Sequence, residues 1–341
     1  MGSDGKFICI VTDHVEPDLE WEEDRFKRGG ADYRHYQMRL GSAEQILRKA
    51  SEADVLIVDQ TKITAEVIRG LHRCKLIIRH GDGYDNLDLN AATEAGIICI
   101  NEPGFWSREV AEQAFVLGLS LALKIPIQES VARSARTDSA VGWNLQKVMP
   151  YSRLQSLTVG ILGYGKIGAI AAGLYGGVVD QVLVYDPYMD SKQIESAGGI
   201  PVSLDRLIAE SDIITLHTPA TEKTVGLVDS RFIGKMKRGS ILVNTSRGSV
   251  VDTDAVVAAL ESGQLGGAGL DSTNPEPLRK DHPLFGMDNV IITPHMGWYS
   301  EDALRAMREQ IAIDALGAAD GRIPESVVNP EVLKKDNLRL R

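Results

Sequence analysis

The sequence predicts an α/β protein built from two doubly wound parallel-sheet domains. Three observations carry that prediction. Short β-branched runs alternate with helix-like stretches almost throughout. The runs are apolar at successive positions rather than at every second one, as in parallel strands covered on both faces. The strand series also starts afresh at residue 157, so it describes two units rather than one.

In the first unit, segments 6–11, 54–58, 75–79 and 97–100 read as buried strands, with helix-like segments at 42–51 and 87–95 between them. Right-handed crossovers then build one doubly wound layer. The second series comprises 157–162, 181–185, 212–216, 240–244, 267–270 and 290–292. Long helices over about 107–124 and about 300–319 bracket it. A whole domain inserted between two such helices leaves the last one to return the chain to the first unit. The expected layout is an outer domain at 1–103 and 299–341 around an inner domain at 104–298. The tail from Lys334 is polar and is expected to be loose.

Composition bounds the function. A chain of 341 residues carries a prior of about two domains. With 43% hydrophobic and 25% charged residues it has the make-up of a globular protein, not of a disordered chain or a disulfide scaffold. A net charge of -10 disfavours nucleic acid, whose backbone repels an acidic protein. No apolar stretch approaches about 18 residues, so no membrane span is expected, and the N-terminus lacks a basic-then-apolar signal pattern. The three cysteines cannot all pair, and Cys9 and Cys99 lie inside apolar runs. They read as buried thiols in a reducing, cytoplasmic compartment. No metal site is expected. The 33 glycines imply many tight strand–helix turns.

One such turn has a chemical reading. Residues 157–168 run L-T-V-G-I-L-G-Y-G-K-I-G, and Gly163, Gly165 and Gly168 fit G-x-G-x-x-G. In a dinucleotide fingerprint the first glycine allows the turn, the second lets the backbone approach a pyrophosphate, and the third permits close helix–strand packing. The helix that opens here points N–H groups at the diphosphate. A second strand ends in Asp186, eighteen residues after Gly168, where a carboxylate accepts hydrogen bonds from the adenosine ribose. Asp186 also repels a 2′-phosphate and no arginine follows it directly, which favours NAD(H) over NADP(H).

Three further segments end strands in the second unit: Asn244-Thr245-Ser246-Arg247-Gly248, Gly269-Leu270-Asp271 leading to Pro275-Glu276-Pro277, and Thr293-Pro294-His295. In a doubly wound sheet, ligands bind outside the carboxyl ends of the strands. Hydride transfer to or from a hydroxyl carbon needs a proton donor and acceptor, for which histidine suits neutral pH. A carboxylate on the far ring nitrogen orients the imidazole, and a guanidinium holds a substrate carboxylate. His295, Glu276 and Arg247 supply one of each.

On these motifs the chain resembles the D-2-hydroxyacid dehydrogenase family over nearly its whole length, from about Val55 to Asn329. The resemblance implies an NAD(H)-binding Rossmann domain inserted in a flavodoxin-like substrate domain, with catalysis in the cleft between them and commonly a homodimer. It implies reduction of small 2-oxo acids to (R)-2-hydroxy acids. It assigns Arg247 to substrate, Glu276 to support of the histidine, and His295 to acid/base work. It further assigns Asp271 to the nicotinamide carboxamide. Tyr164, Gly165, Lys166, Ile167, Thr218, Pro219, Thr245, Ser246, Arg247 and His295 would line the cofactor cleft. In the outer domain, Arg79-His80-Gly81-Asp82-Gly83-Tyr84 resembles the family loop whose N–H groups hold the substrate carboxylate, so Arg79, Asp82 and Gly83 are candidate substrate residues. Arg79 and the run from Pro294 to Glu301 are similar to the branch that includes C-terminal-binding proteins, and Trp298 there either lines the substrate pocket or packs at a hinge.

Asp82 departs from the family, where a small or apolar residue is usual. Either its side chain points away or it receives a substrate hydroxyl or amine, with His80 as partner or simply packed. Glu276 argues against the family's formate dehydrogenases, which carry glutamine there, and Asp82 against its phosphite dehydrogenases, which carry lysine. The alternative to an enzyme is an NAD(H)-sensing interaction protein similar to the corepressors of that branch. The intact Arg247, Glu276 and His295 favour turnover.

Overall fold

The computed structural model describes residues 6–134 and 143–341. The chain forms two compact units, Met1–Phe105 with Glu301–Arg341, and Trp106–Ser300.

In the first unit, β1 (Ile8–Val11), β2 (Asp32–His35), β3 (Val55–Val58), β4 (Leu76–Arg79) and β5 (Ile98–Ile100) form one sheet in the order β2-β1-β3-β4-β5. Every pairing is parallel, and the order is the flavodoxin-like one. All but one residue of β1, β3, β4 and β5 are buried, which is why these strands read as continuous apolar runs. Strand β2 is the polar edge, Asp-Tyr-Arg-His, and escapes a search for such runs. Cys9, Cys74 and Cys99 are buried free thiols.

The second unit holds β6 (Thr158–Leu162), β7 (Gln181–Tyr185), β8 (Ile200–Pro201), β9 (Ile213–Leu216), β10 (Ser240–Asn244), β11 (Leu265–Leu270) and β12 (Val290–Ile292). They lie in the order β12-β11-β10-β9-β6-β7-β8, all parallel. The chain direction across the sheet reverses between β6 and β9, the switch point where a doubly wound sheet opens a crevice. Helix Ser107–Ala122 lies on this sheet. A Cβ at Gly269 would stand 3.0 Å from Leu117 Cβ, and one at Gly118 2.1 Å from the Tyr175 hydroxyl. That hydroxyl donates to the Ala114 carbonyl at 2.9 Å.

Both sheets start their central strands in the same way. Asp54 accepts from the Ile8 N–H at 2.9 Å and is paired with Arg73. Asp212 accepts from the Thr158 N–H at 2.8 Å and is paired with Lys237. Each aspartate satisfies a strand-end donor that no neighbouring strand reaches.

The tail is a correction. Expected to be loose, it is pinned to the first unit. The Arg339 N–H donates to the Gly96 carbonyl at 3.0 Å, its guanidinium to the carbonyls of Leu71 and Cys74 at 2.5 and 3.1 Å, and Leu340 is fully buried. Its polar side chains serve backbone acceptors, so polarity here does not mean solvation. Among the described residues no single helix is long and apolar enough to cross a membrane, although the bent pair Ser107–Ala122 and Ile125–Ser134 passes that test by length and composition.

Candidate active site

The three fingerprint glycines are each required for a different reason. Gly163 has φ 95°, and a Cβ there would stand 2.7 Å from the His217 carbonyl oxygen. A Cβ at Gly168 would stand 2.1 Å from the Gly163 carbonyl oxygen, so the helix start packs directly on the turn. A Cβ at Gly165 would meet nothing within 4 Å. Its smallness serves no packing partner among the described residues, and leaves a cradle at the N-terminus of helix Lys166–Gly176, which no described side chain caps. Thr218 and Thr245, just past β9 and β10, carry buried hydroxyls without a partner among the described residues. Those features fit a dinucleotide at the switch point.

Asp186 is held by two backbone donors, Tyr164 N–H and Tyr188 N–H, both at 2.8 Å. The Tyr164 N–H is therefore committed to Asp186. Pro219 receives the Thr224 hydroxyl on its carbonyl at 2.5 Å. His217 is half-buried, and burial pushes its imidazole down to about 4, so it is neutral.

The Arg247 turn is set by Asn244. Its Oδ1 accepts from the Ser246 N–H at 3.0 Å and the Ser246 hydroxyl at 2.8 Å, while its Nδ2 donates to the Arg247 carbonyl at 3.0 Å. This is an Asx-type turn, and asparagine at the strand end was its signal in the sequence. The Arg247 guanidinium donates to the Ser246 carbonyl at 3.1 Å. A Cβ at Gly248 would fall 1.9 Å from the Thr273 carbonyl oxygen, so only glycine lets this turn lie against the loop that carries Glu276. The Ser272 hydroxyl adds a stitch to the Ser246 carbonyl at 3.1 Å.

Glu276 Oε1 and His295 Nδ1 are 2.7 Å apart, with side chains 38% and 40% exposed. Burial works to raise the glutamate; the hydrogen bond and charge of His295, the Thr273 N–H and the Arg247 charge outweigh it and hold the carboxyl below its ordinary value. The carboxylate therefore stays ionised throughout the neutral range. The stabilisation it contributes is present above the ordinary glutamate value and is lost as pH falls through the depressed one.

Asp271 is 3% exposed. Its Oδ1 accepts from the Thr293 hydroxyl at 2.5 Å and the Met296 N–H at 2.9 Å, and its Oδ2 from the Gly297 N–H at 2.9 Å. One buried carboxylate thus clamps the turn that presents His295, whose φ is 57°. That bracing is what its geometry displays; contact with a nicotinamide carboxamide stays a proposal. Trp298 meets Trp106 edge-on at 5.8 Å and Tyr299 at 5.5 Å, an aromatic cluster within the second unit. Trp143 is 71% exposed.

In the first unit, Arg79 is largely enclosed and paired with Asp59 at 3.3 Å, and it also donates to the His80 carbonyl. These contacts give it a structural task in shaping the loop. His80 pairs with buried Glu16 at 3.1 Å. Burial would raise Glu16, but the hydrogen bond and charge of His80 prevail and bring it down to about 2. The loop is tied from below, Asn101 Nδ2 to the Asp82 carbonyl at 2.7 Å and the Glu102 N–H to the Gly81 carbonyl at 3.0 Å. Glu16 lies 64 positions from His80 along the chain, and no local pattern announces the pair. Among the described residues no group of three metal-ligating side chains is placed to hold an ion.

Residues 119–297 match the family model described as D-isomer specific 2-hydroxyacid dehydrogenase, NAD binding domain. The chain belongs to the D-isomer specific 2-hydroxyacid dehydrogenase family. It is a member of a family of NAD-dependent oxidoreductases acting on CH–OH groups, and its cofactor is NAD(H). A glyoxylate reductase of Thermococcus litoralis is 36% identical over 84% of this chain and 87% of its own. A D-3-phosphoglycerate dehydrogenase of Archaeoglobus fulgidus is 35% identical over 92% of this chain, which spans only 58% of that relative's length. The D-lactate dehydrogenase of Aquifex aeolicus, solved with NAD and lactic acid, superposes with a TM-score of 0.83 at 27% identity, covering 94% of this chain and 99% of that one.

Proposed function

We propose that the protein is an NADH-dependent reductase of small 2-oxo acids, run in reverse as an (R)-2-hydroxyacid dehydrogenase, with His295 as acid/base. The observation that carries this is the 2.7 Å Glu276–His295 contact, stitched through Gly248 and Thr273 to the turn bearing Arg247. The bound dinucleotide supplies the hydride. Arg247 holds the substrate carboxylate through its planar fork and faces the charge that grows on the carbonyl oxygen. His295 gives its proton to that oxygen, and Glu276 on the other ring nitrogen holds the tautomer and favours the charged ring. In the first unit, the N–H groups near Asp82 and Gly83 are candidate carboxylate donors; in the second, Trp298 limits the substrate side chain.

A glyoxylate-sized acid is favoured over a phosphorylated one. The loop offers the carboxylate of Asp82 where a phosphate would want a further cation. NADH oxidation across a panel of 2-oxo acids, from glyoxylate and pyruvate to hydroxylated and sugar-derived acids, tests the reading. Turnover with at least one small 2-oxo acid is expected, with the order of preference changed in Asp82→Ala. Tight NADH binding with no turnover on any acid would favour the NAD(H)-sensing interaction protein instead.

We also propose that the protein is a homodimer of the cytoplasm. The buried free thiols suit a reducing compartment. Helix Ile125–Ser134 has no buried residue, and Val116, Ile125, Leu145, Met149 and Tyr151 are large apolar side chains left exposed in the same stretch of chain. A second copy is the occupant that family membership suggests. Sedimentation velocity is expected to show a species of twice 37.1 kDa; a monomer at micromolar concentration would overturn it.

A further inference from the structure

Helix Glu301–Ala319 and the segments 102–105 and 322–326 enclose a cavity of about 470 Å³ in the first unit. That is the size of a small-molecule site. Phe105, Ile313 and Ile323 give it apolar walls, and Glu102, Asp314, Glu325 and Arg322 give it charge.

Glu102 is the anomaly. It is 1% exposed, and its Oε1 is buried with no hydrogen-bond partner among the described residues. Its backbone cannot swing away, because its N–H is bound to the Gly81 carbonyl at 3.0 Å. A carboxyl group enclosed without a donor is costly, and native proteins seldom leave one so. Burial, and after it the charge of Asp314, push the Glu102 carboxyl up to about 8. Asp314 is raised too, first by burial and then by Glu325, although Gln310 donates to it at 2.9 Å and Arg322 opposes the rise. Arg322 does not neutralise the group, for its side chain is 67% exposed and leans toward Asp320 at 3.5 Å.

We propose that this cavity binds a small organic cation, an aliphatic amine or guanidine, whose N–H groups supply Glu102 with the donors it lacks and whose hydrocarbon part lies on Phe105, Ile313 and Ile323. Three carboxylates against one guanidinium select a cation over an anion. The absence of a three-ligand cluster among the described residues, and a volume far above that of an ion, select an organic cation over a metal. None of these residues belongs to the site proposed for hydride transfer. The cation binds the ionised form of Glu102, which at neutral pH is the minor one. Binding therefore expels a proton, and affinity rises with pH until Glu102 is ionised in the free protein. The charged groups that face it are Asp314 from the helix, and Glu325 and Arg322 from the segment after it.

Calorimetric titration of the full chain with 1,4-diaminobutane, in buffers of different ionisation heat, reads both affinity and proton release. Saturable binding is expected, at least about fivefold tighter at about pH 8.5 than at about pH 6.5, with net proton release. Glu102→Gln and Asp314→Asn, each checked for an unchanged melting temperature, are expected to weaken it at least about tenfold. No saturable heat, binding indifferent to both substitutions, or preferential binding of butyrate would each overturn the proposal. Should Glu102→Gln fail to fold, Asp314→Asn and the proton release of the unaltered chain still decide.

Discussion

His295→Ala is expected to lower kcat for 2-oxo acid reduction by about 10²–10⁴-fold, the range for loss of a positioned general acid. The Kd for NADH, read from quenching of protein fluorescence, is expected to change by less than about threefold, because the proton is needed only as the carbonyl is reduced. The contrast follows from the geometry. The proposed diphosphate cradle is built from Gly163, Gly165 and Gly168, whereas His295 is held by Asp271 and Glu276. Comparable losses in kcat and in NADH binding would make His295 a structural residue of its turn and sink the mechanism.

Arg247→Lys is expected to cost about 10²–10³ in kcat/KM, with KM for the 2-oxo acid raised and NADH binding little changed. Lysine keeps the charge but loses the planar fork, so at most one of the two contacts proposed with the substrate carboxylate would remain. The backbone under this position is fixed by Asn244 and by the close approach of Gly248 to Thr273, so the substitution alters the head group without releasing the turn. Unchanged kcat and KM would show that Arg247 does not hold the substrate.

The fold was legible where burial is two-sided. Strands such as β3, Val-Leu-Ile-Val, declare themselves because both faces are covered. Strand β2 did not, since an edge strand of Asp-Tyr-Arg-His has no apolar run to display, and β8 is only two residues long. The tail was misread for a related reason: Arg339 is polar, yet it is spent on buried carbonyls that local sequence cannot reveal. In the candidate site, residues whose chemistry is intrinsic, Arg247, Glu276 and His295, could be named in advance, and the structure brings Glu276 and His295 into contact. The braces could not. Asp271 looks like any acidic residue at a strand end until Thr293, Met296 and Gly297 are seen converging on it. The Glu16–His80 pair and the unpartnered Glu102 belong to the same class, because what matters in each is a neighbour distant along the chain.

The turn at His295 sets backbone ease against side-chain chemistry. With φ at 57° it lies in the left-handed region, where glycine is at ease, asparagine is tolerated, and other residues are strained by on the order of 1–2 kcal/mol. The side chain proposed for proton transfer stands where the backbone would prefer a different one. Selection for thermal stability and selection for turnover therefore pull this position in opposite directions. A library sorted on heat resistance alone would drift at residue 295 toward glycine or asparagine, gaining robustness as it lost its chemistry, while Asp271 beneath it would be retained by both regimes.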